Sequence, residues 1–135
     1  MPLVTWTQKL SVGVKVLDND HKRLLGLLNQ LNDGMRAGRG RETLGKVFDE
    51  LVNYTQTHFA REEQFFAESG YAAAAAHKKE HDDLTMRVLD LQARHKKGEL
   101  ALTQEVINFL KSWLMHHIQG SDRKYGPHLN AKGIH

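Results

Sequence analysis

The sequence predicts an all-α protein, an antiparallel up-down-up-down four-helix bundle with an extended N-terminal arm. Three observations predict it. Both prolines, Pro2 and Pro127, lie outside the middle of the chain, so its interior lacks the strongest helix breaker. Glycines at Gly38 and Gly40, then Gly70, then Gly98, divide the chain into four segments of helical length. Within each segment apolar residues recur at alternating steps of three and four, the spacing of a helix with one buried face. Four such helices with short connections favour antiparallel neighbours.

Taken in order, residues 2–17, with Trp6, read as an arm laid across the bundle. The first helix is expected over about 18–37, with Asp18, Asn19 and Asp20 as N-cap candidates and first-turn negative charge. Its stripe runs His21, Leu24, Leu28, Leu31, Met35. The second, about 41–68, carries Leu44, Val47, Leu51, Thr55, His58, Glu62 and Phe65. The third, about 71–97, opens on the strongly helix-forming run Ala72–Ala76 and carries His77, His81, Leu84, Val88 and Leu91. The fourth, about 103–122, starts at Thr103 as N-cap and carries Val106, Leu110, Trp113 and His117. The tail 126–135, with Gly126, Pro127 and Gly133, is expected to be irregular. The chain, 1–135, reads as a single domain.

Composition excludes several function classes. With no cysteine, disulfides, thiolate metal sites and cysteine nucleophiles are ruled out. The net charge of +3 comes from interspersed charges without a like-charged block, so neither nucleic-acid binding nor a membrane-binding patch is expected. The polar N-terminus lacks a signal core, and no run of 18 apolar residues occurs, so no membrane insertion is expected. A cytoplasmic monomer is the resulting expectation.

One compositional feature stands out, the nine histidines. Five of them, His21, His58, His77, His81 and His117, fall on the apolar stripes, and every helix supplies at least one. Glu62 falls there too. The pairs His58–Glu62 and His77–His81 are spaced i, i+4 and project side by side from one helix face. A buried imidazole or carboxylate without a partner costs several kcal/mol or is forced neutral. A bound metal removes that cost by giving each lone pair a cation to meet. One such pair is a weak metal signal, but convergence from four helices is a strong one. His95, His116, His128 and His135 lie off the stripes or near ends and are read as non-ligands. Asp122 follows His117 by five residues, about 140° round a regular helix, so periodicity by itself does not select it. Gly120, between them, permits a local distortion.

The motifs Asp-Asn-Asp-His ending at His21, His58-Phe-Ala-Arg-Glu62, His77-Lys-Lys-Glu-His81 and His117-Ile-Gln-Gly-Ser-Asp122 together resemble the hemerythrin family, over Trp6 to Tyr125. The resemblance implies two iron ions with a bridging oxo or hydroxo group. It implies His77, His81 and His117 on one iron, His21 and His58 on the other, and Glu62 and Asp122 bridging both. It also implies an oxygen pocket, for which Phe59, Trp113 and Leu114 are the candidates. The chain departs from the family in the alanine run before His77, and in Phe65 and Phe66 where relatives often carry methionine.

Imidazole and carboxylate donors suit iron, zinc or manganese alike, so donor type does not select the metal. The count says more. Five imidazoles, two bridging carboxylates and one oxo or hydroxo bridge fill all but one of the positions around two octahedral ions. One vacancy, beside His21 and His58, suits a single diatomic ligand. The expected function is therefore reversible dioxygen binding, for oxygen storage, delivery or sensing, with an oxygen-consuming enzyme as a conceivable recipient and no catalysis by the chain itself. The alternatives are a di-iron enzyme handling peroxide or nitric oxide, iron storage, or a metal-free or zinc-bound interaction module.

Overall fold

A computed structural model describes residues 3–99 and 103–135. Helix α1 spans Lys15–Arg36, α2 Arg41–Ser69, α3 Ala74–Lys96, α4 Gln104–His116 and α5 Arg123–Ala131. There is no strand among the described residues. α1 packs on α2 and α4, and α2 packs on α1 and α3, which makes the four-helix bundle. Short connections, 37–40 and 70–73, join α1 to α2 and α2 to α3. At Gly70 the backbone turns left-handed, with φ of 68°, and its amide donates to the Phe66 carbonyl. This is the glycine stop expected after α2. Thr103 caps α4, its hydroxyl accepting from the Val106 amide at 3.4 Å.

The first helix starts earlier than the acidic cluster suggested, at Lys15, with Val14 as N-cap. Asp18 acts from inside the first turn instead. Its carboxylate accepts from the Val12 amide at 2.8 Å and the Ser11 hydroxyl at 2.5 Å, tying the arm to the helix. The arm runs extended, apart from a short 3₁₀ turn at Gln8–Leu10, and Asn29 pins it further up α1 by bonding both Val4 backbone groups at 3.0 and 2.8 Å. The Lys22 ammonium covers the Trp6 ring at 4.3 Å. Pro2, the first residue of the expected arm, lies outside the described residues.

The C-terminal part of the chain corrects two expectations. α4 does not continue regularly to 122. It widens into a π-helical turn, His117–Asp122, closed by the Arg123 amide donating to the Ile118 carbonyl five residues back. The tail, expected to be irregular from 126 onward, is helical as far as Ala131, through Pro127. The carbonyl that a residue at 127 would bond in a regular helix belongs to Arg123, at the junction with the wider turn, where the ladder is already shifted. Burial provides the rest of the reason: Tyr125 and Leu129 are fully buried.

The apolar core has two parts. A large one, with Leu24, Leu28, Leu31, Phe48, Leu51 and Ile107, fills most of the bundle. A smaller one, with Val12, Val14, Leu17, Phe66, Tyr125 and Leu129, joins arm, α2 and α5 at one end. Buried polar side chains meet both parts: Phe59, of the larger, stacks on His81, and Phe66 and Tyr125, of the smaller, contact His77.

Candidate metal centre

Seven of those polar side chains, His21, His58, Glu62, His77, His81, His117 and Asp122, are all buried, with Glu62, His21 and Asp122 fully so. Their donor atoms form two overlapping groups. One holds Glu62, His77, His81, His117 and Asp122, the other His21, His58, Glu62 and Asp122, with donor atoms of each group within 4.8 Å of one another. Glu62 and Asp122 belong to both.

The helices explain the convergence. Positions 58 and 62 of α2, and 77 and 81 of α3, are one turn apart, so each pair projects from a single face. His21 comes from the first turns of α1. His117 and Asp122 bracket the π-helical turn. A regular helix would rotate Asp122 away from His117, but the wider turn brings it back to the same side, and both side chains are buried. The Asp122 Oδ1 lies 2.9 Å from Nε2 of both His77 and His117, and its Oδ2 lies 3.0 Å from His21 Nε2. Asp122 therefore reaches both groups with different oxygens. Glu62 Oε1 lies 3.0 Å from His81 Nε2, 3.5 Å from His58 Nε2 and 3.7 Å from His77 Nε2.

All five Nε2 atoms thus face the two carboxylates. None of them has a hydrogen-bonding partner, and neither do Glu62 Oε1 or the two Asp122 oxygens. So many orphaned polar atoms in one buried place are intolerable unless something else meets them. Nitrogen and carboxylate lone pairs pointing into a shared space are what a pair of cations requires, so the residues present fit a two-metal centre.

Several residues outside the sequence-level set hold these groups. Asp20 accepts from His58 Nδ1 at 2.9 Å, and Glu63 pairs with His81 Nδ1 at 3.0 Å. Each outer bond puts the proton on Nδ1 and leaves the Nε2 lone pair facing inward. Tyr125 donates its hydroxyl to Glu62 Oε2. Asp20 stood in the sequence as a first-turn acid, and Tyr125 as the residue before an irregular tail. The adjacency of Asp20 to His21, and of Tyr125 to Asp122 one turn on, were the only signals available.

Electrostatics follow from this packing in the metal-free state. Burial pushes the His58 imidazole down, but the Glu62 carboxylate and the Asp20 bond outweigh it and hold its pKa up at about 10. Burial likewise opposes charge on His77, and Asp122 and Glu62 raise it to about 9. Burial pushes the Glu62 carboxyl up, but His58, His77 and His81 hold it well below its ordinary value. Asp122, opposed by burial and by Glu62, is held low by His117 and His21. Burial and the neighbouring carboxylates raise the Tyr125 hydroxyl well above its ordinary range, so it remains a donor.

Phe59, Trp113 and Leu114 all line one apolar cavity of about 30 Å³, together with Leu24, Leu28 and Thr55. That volume is about one water molecule. The cavity shares walls with the polar cluster: the Phe59 ring stacks on His81 at 3.7 Å, and Trp113 stacks on His117 at 4.4 Å. The four histidines read as non-ligands lie elsewhere. His95 stacks on Phe48, His116 bonds the Ser112 carbonyl, His128 bonds the Ser69 carbonyl, and His135 is exposed.

Comparison with known proteins gives a consistent result. The family model for the hemerythrin HHE cation-binding domain matches residues 12–129. The bacteriohemerythrin of Methylococcus capsulatus is 39% identical over 132 residues, spanning 97% of this chain and 100% of that protein. The bacteriohemerythrin of Stenotrophomonas maltophilia is 37% identical, spanning 97% of this chain and 84% of that one. A hemerythrin-like protein of Naegleria gruberi is 32% identical, over 89% of this chain and 88% of that one. Among solved structures, wild-type hemerythrin superposes with a TM-score of 0.88 at 39% identity, over 94% of this chain and 98% of that chain. A leucine-to-tyrosine variant of hemerythrin reaches 0.92 at 38% identity, over 96% and 98%. With the family model matched over residues 12–129, relatives 32–39% identical over most of the chain and the same bundle in the solved structures, the chain belongs to the hemerythrin family.

Proposed function

We propose that this chain binds dioxygen reversibly at a non-haem di-iron centre and serves in oxygen storage, delivery or sensing. Membership of the hemerythrin family supports oxygen binding of this kind. The observation that carries the reading is the pair of donor groups sharing Glu62 and Asp122, with every Nε2 turned inward and unpartnered. In this reading His77, His81 and His117 would hold one ion and His21 and His58 the other, Glu62 and Asp122 would be shared between them, and an oxo or hydroxo group would complete the centre. When bound, two ferrous ions supply reversible two-electron chemistry toward oxygen.

The protein's own part is to orient the donors and keep water out. Asp20 and Glu63 fix the tautomers of His58 and His81. Tyr125 fixes Glu62 by bonding the oxygen that the histidines do not face. Phe59 and Trp113 stack on His81 and His117, and Leu114 lines the apolar cavity with them. A small apolar space admits a diatomic gas and disfavours water and ions. The unequal donor sets, three histidines against two, leave room for one small ligand on the His21–His58 side. The donors would otherwise saturate the ions, which argues against oxidation of a separate substrate. Carboxylate-rich di-iron sites built on Glu-x-x-His pairs lie at the other extreme.

The test is spectroscopic. The purified protein is loaded with iron, reduced, exposed to oxygen and then deoxygenated. Two irons per chain and a visible charge-transfer band that comes and goes with oxygen are expected. A band that forms and never reverses would point to oxidase-type chemistry instead, and fewer than two irons in saturated protein would remove the basis of the reading.

A further inference from the structure

We infer that Asp20, clamped by Tyr54 and Arg61, is a positioning residue that fixes His58 and thereby sets how tightly the two-histidine half of the centre holds its ion. The inference rests on the di-metal reading above. The two halves are unequal in more than ligand number. In the three-histidine half, the bonded outer partner is accessible to solvent: the Glu63 side chain is 30% exposed, while His117 Nδ1 is buried and unbonded, with the exposed Glu80 carboxylate 3.8 Å away. Water can replace or screen the Glu63 contact. In the two-histidine half, His21 has no outer partner, because its Nδ1 is buried and unbonded. The aim of that half therefore depends on His58.

His58 is held by a carboxylate that is itself held. Asp20 is 2% exposed. Its Oδ2 takes His58 Nδ1 at 2.9 Å and Arg61 Nε at 3.2 Å, and its Oδ1 accepts the Tyr54 hydroxyl at 2.7 Å. Both oxygens are engaged from three directions, so the carboxylate cannot rotate without breaking a bond. Arg61 balances its charge, which a buried carboxylate otherwise could not keep. The clamp also spans two helices. Asp20 precedes His21 on α1, while Tyr54, His58 and Arg61 lie on α2 at spacings of four and three, on one face. One buried carboxylate thus sets the ring plane of His58 on α2 and is covalently next to His21 on α1. It locks the relative position of the only two imidazoles in that half. Outer partners of this kind are worth roughly 10- to 100-fold in metal affinity.

The test uses cobalt(II) as probe on the metal-free full chain, followed by calorimetry. Wild-type protein is expected to take two ions in two steps, the tighter in the three-histidine group with its larger donor set. In Asp20→Asn the second step is expected to weaken by roughly 10- to 100-fold, with the first unchanged. Tyr54→Phe removes one hydroxyl at a half-buried position, and should weaken the same step by less. Glu63→Gln, on the opposite half, should move the first step and spare the second. If Asp20→Asn does not fold, Tyr54→Phe against Glu63→Gln decides the matter. An unchanged second step, or an equal loss on both steps, overturns the positioning role. Wild-type protein that takes fewer than two cobalt ions overturns the di-metal reading itself, a separate outcome.

Discussion

At the scale of single residues, the buried cluster is a set of imidazoles and carboxylates that lie close to one another without hydrogen-bond geometry, so neutral imidazoles leave the inward atoms unmet. His77 shows this most directly. Its Nε2 lies within 3.7 Å of both shared carboxylates yet bonds neither, and its ring edge meets Phe66 and Tyr125 at 4.9 and 5.7 Å. Replacing it removes a donor from the three-histidine group and opens a void beside two aromatic rings. His77→Ala is therefore expected to lower the iron content below two per chain and to cost a few kcal/mol of stability in the loaded protein, about the loss expected when a buried contact and a ligand go together. Metal analysis after saturation checks it, and an unaltered iron content would remove His77 from the ligand set. Asp20 and Tyr125 illustrate what residue-level pattern misses. Each acts on a side chain far off in sequence, His58 or Glu62, and no local spacing encodes that partnership.

At the scale of elements, the π-helical turn is the decisive piece. Asp122 follows His117 by five positions, and only a widened turn keeps both on the interior side. The same turn redirects the chain so that α5 presents Tyr125 and Leu129 to the smaller core and passes close under the arm. The contact there is tight: a Cβ at Gly126 would sit 2.3 Å from the Val12 carbonyl oxygen, whereas one at Gly120 would meet nothing within 4 Å. Gly126→Ala is thus expected to destabilise by about 1–3 kcal/mol and to loosen the arm, as overpacking does. Gly120→Ala, in the turn itself, should stay within about 0.5 kcal/mol of the parent. Denaturant melts of the two variants side by side provide the check, and equal effects would show that the arm does not rest on α5 as described.

At the scale of the whole molecule, metal and fold are coupled through protons. Without metal, His58 and His77 are raised from an ordinary 6.5 to about 10 and about 9. Their ion pairs with the shared carboxylates contribute stability in full below about pH 6.5, and lose it as pH rises through those raised values. Glu62 and Asp122 are depressed, so their contribution is present above the ordinary carboxylate range and is lost as pH falls through their lowered values. Metal binding needs neutral imidazoles, so metal-derived stabilisation grows with pH instead. Chelator-stripped protein is therefore expected to melt lower at pH 9 than at pH 6, while the gap between stripped and loaded protein widens over that interval. Thermal melts of both forms at the two pH values test this, and a gap that narrows with pH would contradict it.

The sequence by itself determined the bundle, because a stripe of apolar residues at helical spacing has only one way to be buried. It also determined six of the seven cluster residues, since a histidine or glutamate on such a stripe must point inward wherever the helices pack. Phe59, Trp113 and Leu114 came as candidates for the pocket that the family resemblance implies, and the packed chain places all three on one apolar cavity. Asp122 came from family resemblance alone, because its spacing contradicts a regular helix and only the packed chain shows the turn that resolves it. The helical course through Pro127, the Asp20–Tyr54–Arg61 clamp and the Tyr125–Glu62 bond were decided by tertiary structure. The reason is common to all: they depend on which distant groups meet when two apolar cores close around a polar cluster, and local periodicity carries no record of that meeting.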